Sequence, residues 1–394
     1  MTSPSTPAST DIPEERFQTG EVFTVAAGHF VHDTFSAFVA PLLPLIIEKL
    51  ALSFTLAGSL QTFLQIPSLL TPFIGYMADR ISLRYFVILA PAITATLMSF
   101  LGLAPSYTML VILLLATGVS IACFHAPAPA MIGRISGKQI GRGMSIFMAS
   151  GELGRTVGPL LIYWAVSSFT LEGYYRIMIL GWLASFILFW RLRRVPARTS
   201  MPHDIRSLLP TLGRLFIPIL AIILFRAFLL VPPSIFLPTL MTGQGNSWLV
   251  GTGALAAWEL AGVGGALAGG TLSDWLGRKI ILLIGIVSGI IFTIIFLNVS
   301  GWLVAPVLLA MGFTSLSSTP VMLSIVQEHL PNNRAVGSGL FIAVNFLARP
   351  LAILGIGLIG DNFSLETAYF WGAIIALGAI PGIFFLPELK GTET

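Results

Sequence analysis

The chain has 394 residues, of which 55% are hydrophobic and only 10% charged, with a net charge of +4 and a mean hydropathy of +0.90. That balance lies far from the range of water-soluble domains and places most of the chain in a lipid bilayer. The one cysteine, Cys123, sits in an apolar run, so there is no disulfide framework and no metal-thiolate spacing, and no metal or other cofactor is expected.

Residues 1–20, rich in Ser, Thr and Pro and ending in a charged stretch, lack the basic start and apolar core of a cleavable signal and read as a disordered cytoplasmic tail. A hydrocarbon core of about 30 Å needs about 20 apolar residues per helix. Such runs recur twelve times, over 22–47, 55–78, 85–104, 107–130, 142–166, 174–194, 215–241, 249–273, 279–298, 302–328, 335–360 and 367–387. The expected fold is therefore an all-α membrane protein of twelve transmembrane helices. It divides into an N-terminal six-helix bundle (21–194), a polar linker (195–214) and a C-terminal six-helix bundle (215–388), with a short tail at 389–394.

Sixteen of the 21 Lys and Arg residues fall on one side of such a topology if both termini are cytoplasmic, and only Lys49 and Arg176 fall on the other. This positive-inside bias predicts a multi-pass protein of the cell inner (plasma) membrane with cytoplasmic termini, and the net charge needs no nucleic-acid partner to explain it.

The chain is also built twice. Gly75-Tyr76-Met77-Ala78-Asp79-Arg80, followed by Arg84, returns as Gly270-Thr271-Leu272-Ser273-Asp274, followed by Arg278 and Lys279. Halves repeated about an axis normal to the membrane place a substrate site at the bilayer midplane between them, as in secondary transporters. An Asp at the end of one helix can accept hydrogen bonds from the N-terminus of another and pair with an arginine, so Gly75, Asp79, Arg80, Arg84, Gly270, Asp274 and Arg278 are the expected conformational latch.

Three arginines, Arg155, Arg226 and Arg349, fall near the centres of spans 5, 7 and 11, where a charge facing lipid costs at least about 2.5–3.5 kcal/mol. They must face the interior. Asp33, Glu152 and Glu259 lie at similar depth, and His29 shares a helix face with Asp33 at i,i+4 while His32 points elsewhere. Offsets of 194 (Arg155 to Arg349) and 193 (Asp33 to Arg226) put charges at equivalent places in the two halves. Guanidinium forks hold carboxylate or phosphate oxygens in two-point contacts, so Arg226, Arg349 and Arg155, with Gln65 and His125, are the expected binders of an anionic substrate. Asp33, His29, Glu152 and Glu259 are the expected proton carriers, with a bound anion displacing one carboxylate so that substrate and proton compete and antiport follows. The alternative for Glu152 and Arg155, at i,i+3, is a structural pair, for Glu259 a structural partner, and for His125 a packing residue or a gate. Gly151, Gly154 and Gly158 in span 5 and the glycines of span 8 are expected at close helix contacts.

The paired Gly75 and Gly270 stretches resemble the loop motif of the major facilitator superfamily, with Ser82 in place of the usual second glycine. Gly154-Arg155-Thr156-Val157-Gly158-Pro159 resembles the antiporter motif of the fifth helix without its closing glycine pair. Within that superfamily the chain looks most like the fosmidomycin-resistance-like efflux transporters, through Gly28-His29-Phe30-Val31-His32-Asp33, Ala40-Pro41-Leu42-Leu43, Phe124-His125, Gly158-Pro159-Leu160-Leu161 and Gln327-Glu328-His329-Leu330-Pro331. The resemblance implies a coupling role for His29 and Asp33. Ala126-Pro127-Ala128 departs from that family's pattern, and Glu152, Arg155, Glu259 and Arg349 look like additions, so the substrate need not be a phosphonate antibiotic.

The expected function is thus a proton-coupled exporter (antiporter) of a small organic anion or drug-like compound, working as a monomer by alternating access. An uptake symporter is the alternative, and a membrane receptor or enzyme a distant third, since no metal-ligand cluster or nucleophile motif is visible.

Overall fold

The protein is described by a computed structural model covering residues 16–78, 84–137, 139–193, 209–330 and 334–387. Residues 1–15 of the expected N-terminal tail, the expected C-terminal tail, most of the 195–214 linker, Asp79 and Arg80 lie outside the described residues, and the last two residues of the expected N-terminal tail, Thr19 and Gly20, already belong to the first helix. The N-terminal half runs α1 (Thr19–Leu50), α2 (54–78), α3 (Arg84–Leu103), α4 (Tyr107–Ile135), α5 (Ile140–Phe169) and α6 (Tyr174–Leu192). The C-terminal half runs α7 (Gly213–Gly243, helical from Leu209), α8 (Trp248–Leu276), α9 (Arg278–Phe296), α10 (Gly301–His329), α11 (Arg334–Asn362) and α12 (Leu365–Phe384).

Among the described residues ten stretches are long and apolar enough to cross a membrane. The two expected spans outside that set are 2 and 5. Both are helical, but α5 carries Arg142, Glu152 and Arg155, and α2 is broken by a 3-10 turn at Ile66–Leu70 around Pro67. Elsewhere large apolar side chains such as Phe186, Ile217 and Leu267 are exposed around the outside, where lipid would cover them, and Trp275 and Trp302 are exposed near opposite ends of the bundle, as in interfacial aromatic belts.

Proline and serine punctuate these helices where the repeat requires it. α1 breaks at 37–38, just before Pro41 and Pro44, and α7 carries a π turn at Pro232–Phe236 ahead of Pro238. Pro44 and Pro238 are 194 positions apart, so the first helix of each half is interrupted at the same level, because a proline ring removes one ladder hydrogen bond and crowds the preceding turn. Ser53, Ser106, Ser247 and Ser364 each cap a helix start by accepting a backbone N–H with the hydroxyl. Gly277 takes φ +96° between α8 and α9, a conformation that side chains disfavour.

The halves meet at the end remote from the termini. Asp361, at the end of α11, accepts the first free N–H groups of α2, from Phe54 at 2.5 Å and Thr55 at 3.0 Å, and Trp248 Nε1 donates to Pro41 O at 2.8 Å. Gly58 and Gly357 make this contact close: a methyl on Gly58 would lie 2.9 Å from Phe236, and one on Gly357 2.7 Å from the Thr55 backbone.

A carboxylate on helix N-terminal N–H groups is typically worth about 0.5–2 kcal/mol. Asp361→Ala should therefore loosen this end: spin-label distances between the ends of α2 and α11 should broaden to longer values, with Asp361→Asn in between. Identical distributions in the Ala variant and the parent would remove Asp361 from the closure.

Candidate functional site

The small residues of α5 bring it against α1. A methyl on Gly154 would lie 2.5 Å from Phe30 O, and one on Gly158 2.6 Å from Thr34 O, so neither position has room for a side chain. The expected close approach is present here. In α8, Gly262, Gly265 and Gly269 pack in the same way on α10, whereas Gly264 and Gly270 meet no tight neighbour.

The α1–α5 contact aligns a buried cluster. His29 and Asp33 are paired across one turn, Nε2 to Oδ2 at 3.4 Å, and His125 from α4 completes the group, with its Nε2 3.5 Å from Asp33 Oδ1 and 3.3 Å from His29 Nε2. The other ring nitrogens are held by backbone carbonyls: His29 Nδ1 by Phe147 O at 2.8 Å, His125 Nδ1 by Ile121 O at 3.0 Å. A carbonyl only accepts, so each Nδ1 carries a proton and, in the neutral ring, each Nε2 presents a lone pair. Two imidazole lone pairs and a carboxylate then face one another, an arrangement that a cation resolves. His29 is further fixed by stacking on the Phe147 ring at 4.0 Å.

His32 does not turn away from this group as its spacing suggested. It is fully buried, stacks on Phe124 at 4.5 Å and lies 5.5 Å from the His125 ring, because Phe124 and His125 reach α1 from the end of the first segment of α4.

A second cluster spans the two halves. Arg155 is bonded to Glu152 on its own helix, and its Nε is 4.0 Å from Glu259 Oε2 on α8. Arg349 donates to Ser234 Oγ at 3.0 Å, and its charge, like that of Arg155, acts on Glu259. The field of Arg155 also reaches Asp33 and His125. Two acids and two arginines thus make an ionic group joining α5, α8 and α11 next to the histidine cluster.

The structure corrects several pairings expected from spacing. Arg226 is not beside Asp33 and does not join Arg349. It is buried in the C-terminal half, donating to Ser315 O at 3.1 Å and Thr319 Oγ1 at 2.6 Å on α10, and among the described residues no carboxylate pairs with it. His125, at the end of the first segment of α4, sits with His29 and Asp33, and among the described residues no hydrogen bond or ion pair joins it to the arginines. The expectation of no metal-ligand cluster also fails: His29, Asp33 and His125 bring one ligand atom each within 4.8 Å of one another, from helices too far apart in sequence for any spacing motif to show. Gln65 is buried with its Oε1 free of hydrogen bonds. Of the latch residues, Arg278 pairs with Asp274 at 2.6 Å and with Glu328 at 2.5 Å, tying α8, α9 and α10 within one half, while Gly270 meets nothing within 4 Å and Arg84 lies over the Tyr85 ring. Asp79 and Arg80 lie outside the described residues, and Gly75 lies within the helical segment Thr71–Ala78. The Phe147 carbonyl, Ser234 and Gly151 also touch these clusters, contacts that spacing did not single out.

Gly151 offers a direct check on the cluster. A methyl there would lie 2.4 Å from His29 Cε1, 2.6 Å from Nε2 and 3.0 Å from Asp33 Oδ2, against a ring that stacking and a hydrogen bond hold still. Gly151→Ala should displace the His29–Asp33 pair at an overpacking cost of about 1–3 kcal/mol, lowering the melting temperature in detergent. A variant as stable and as active as the parent would show that the pair has slack.

The comparisons agree with this architecture. The sequence model of the Major Facilitator Superfamily matches residues 25–353. The chain is 25% identical over 391 residues to the fosmidomycin resistance protein of Escherichia coli (strain K12), covering 97% of this chain and 96% of that one. It is 24% identical to the uncharacterized MFS-type transporter YfnC of Bacillus subtilis (strain 168), over 92% of this chain and 88% of that one. Among solved structures it is similar to a bacterial homolog of the human lysosomal transporter Spinster in an inward-facing, unoccupied conformation (TM-score 0.74, 17% identity, 94% and 95% of the two chains). It is likewise similar to a D-xylose-proton symporter (TM-score 0.74, 14% identity, 94% and 97%). The protein is a multi-pass membrane transporter that belongs to the major facilitator superfamily.

Proposed function

We propose that the protein is a proton-coupled exporter of small organic anions, set in the cell inner membrane with both termini cytoplasmic and acting as a monomer. The observation that carries this reading is the adjacency of two clusters on either side of the α1–α5 contact: a group of three lone-pair donors from α1 and α4 that needs a cation, and an ionic group in which Arg155 and Arg349 stand between the halves. The closure at the Asp361 end then faces outward, and the substrate enters from the cytoplasm. Two arginines balanced by Glu152 and Glu259 form a site that is neutral when empty, and an anion with two oxygens replaces a carboxylate on the guanidinium forks. His29, Asp33 and His125 hold the proton. The E. coli relative named for fosmidomycin resistance supports export and makes a small phosphonate the first substrate to try.

The sign of the coupling favours a second reading, symport. A carboxylate displaced by the substrate is free to take up a proton while the substrate is bound, and an anion on Arg155 cancels a positive charge that otherwise acts on Asp33 and His125. Both effects draw the proton in with the substrate, so the competition expected from sequence does not follow from charge alone. Exchange requires in addition that only singly loaded states change conformation. Proteoliposomes under an imposed pH gradient separate the readings. With an acidic lumen, fosmidomycin should accumulate inside by exchange and be driven out by symport, and flux indifferent to the gradient would defeat proton coupling altogether.

Arg349→Lys keeps the charge and loses the planar fork. It should weaken fosmidomycin binding about tenfold or more, the equivalent of one charge-assisted hydrogen bond. Arg226→Lys should lower thermal stability with affinity unchanged, since Arg226 is engaged with α10. Equal affinity losses in the two variants would return Arg226 to the substrate site.

A further inference from the structure

We propose that His29, Asp33 and His125 form a binding site for one divalent transition-metal ion of the Zn2+ class, beyond any part they play with protons. Both imidazoles have Nδ1 engaged by a backbone carbonyl, which is the outer-shell arrangement that orients metal-binding histidines and leaves Nε2 as the ligand. The two Nε2 atoms are 3.3 Å apart, and each lies 3.4–3.5 Å from an Asp33 oxygen. The two rings meet different oxygens of Asp33, Oδ2 for His29 and Oδ1 for His125. Ligands about 2.0–2.1 Å from a tetrahedral Zn2+ are separated by about 3.3–3.4 Å, so a turn of the carboxylate that brings one oxygen within reach of both rings completes one face of a tetrahedron.

The surroundings suit such an ion. His29 and Asp33 are buried and fixed by packing, while the His125 side chain is 35% exposed and leaves a route for entry and an open fourth position. Two nitrogens and one carboxylate match Zn2+ or its neighbours in the transition series, and not Mg2+ or Ca2+, which take oxygen ligands. The charged groups facing the site are Asp33, which contributes to binding, and Arg155, whose opposing charge is offset by its bond to Glu152. His32 stands beside His125 as a further ring with no part in the ligand set.

The test uses the full-length, tag-free protein in detergent after chelator treatment, with the metal alone as ligand. Calorimetric titration should show one Zn2+ per chain at micromolar affinity or tighter, little response to Mg2+, and affinity reduced at least about tenfold in both His125→Gln and Asp33→Asn. His329→Gln, at the end of α10, should bind as the parent does. Co2+ should give the intense visible bands of a four-coordinate ion in the parent chain, a readout that stands even if a variant misfolds. No Zn2+ binding, binding unchanged in both variants, or the weak spectrum of six-coordinate Co2+ would overturn the site. A chain that bound Zn2+ in this way yet moved no protons would keep this inference and sink the coupling mechanism.

Discussion

Two imidazoles whose Nδ1 protons are committed to backbone carbonyls, facing each other across 3.3 Å beside a buried carboxylate, set the constraint on which the rest depends. Left without a cation, the arrangement sets lone pair against lone pair in a medium that screens poorly. The fold is organised to hold it nonetheless. Glycines of α5 admit α1 to within contact of its backbone, Phe147 supplies both a stacking face and an acceptor, and the interruption of α4 after His125 lets that residue reach inward at the end of its helix segment. A proton or other cation bound there would relieve that opposition, and α5 sets the place beside the ionic group that joins the two halves.

The pseudo-symmetry of the chain gives this asymmetry a sharper form. Adding 194 to Ile121 and His125 gives Ser315 and Thr319, the two residues that receive the guanidinium of Arg226, and Arg226 itself stands 193 positions after Asp33. Where the N-terminal half sets His125 beside His29 and Asp33, the C-terminal half sets a guanidinium fixed to the chain. Burying a guanidinium without a carboxylate partner costs several kcal/mol, and a hydroxyl with a carbonyl offsets only part of it.

Much of the fold was legible from composition and repetition. Runs of about twenty apolar residues, the paired glycine–aspartate loops and the prolines at equivalent places in the first helix of each half are one-dimensional signals, and they give the helix order and the two halves. The His29–Asp33 pairing was legible for the same reason, since i,i+4 neighbours meet on any helix. His125 and Arg226 were not. Their partners lie on other helices, and which face of α4 or α7 turns inward is decided by packing that a single sequence does not display. Equivalence of Asp33 and Arg226 under the repeat means matching places in separate halves, which is not proximity.

The most direct measurement is the protonation of the two histidines in chelator-treated protein in liposomes, by NMR of 15N-labelled histidine. Both His29 and His125 should carry a proton on Nδ1 at every pH, while their Nε2 signals move together in one step that Asp33→Asn abolishes or splits. Either ring found protonated on Nε2 and bare on Nδ1, or two rings titrating independently like exposed imidazoles, would contradict a single shared cation at the centre of this transporter.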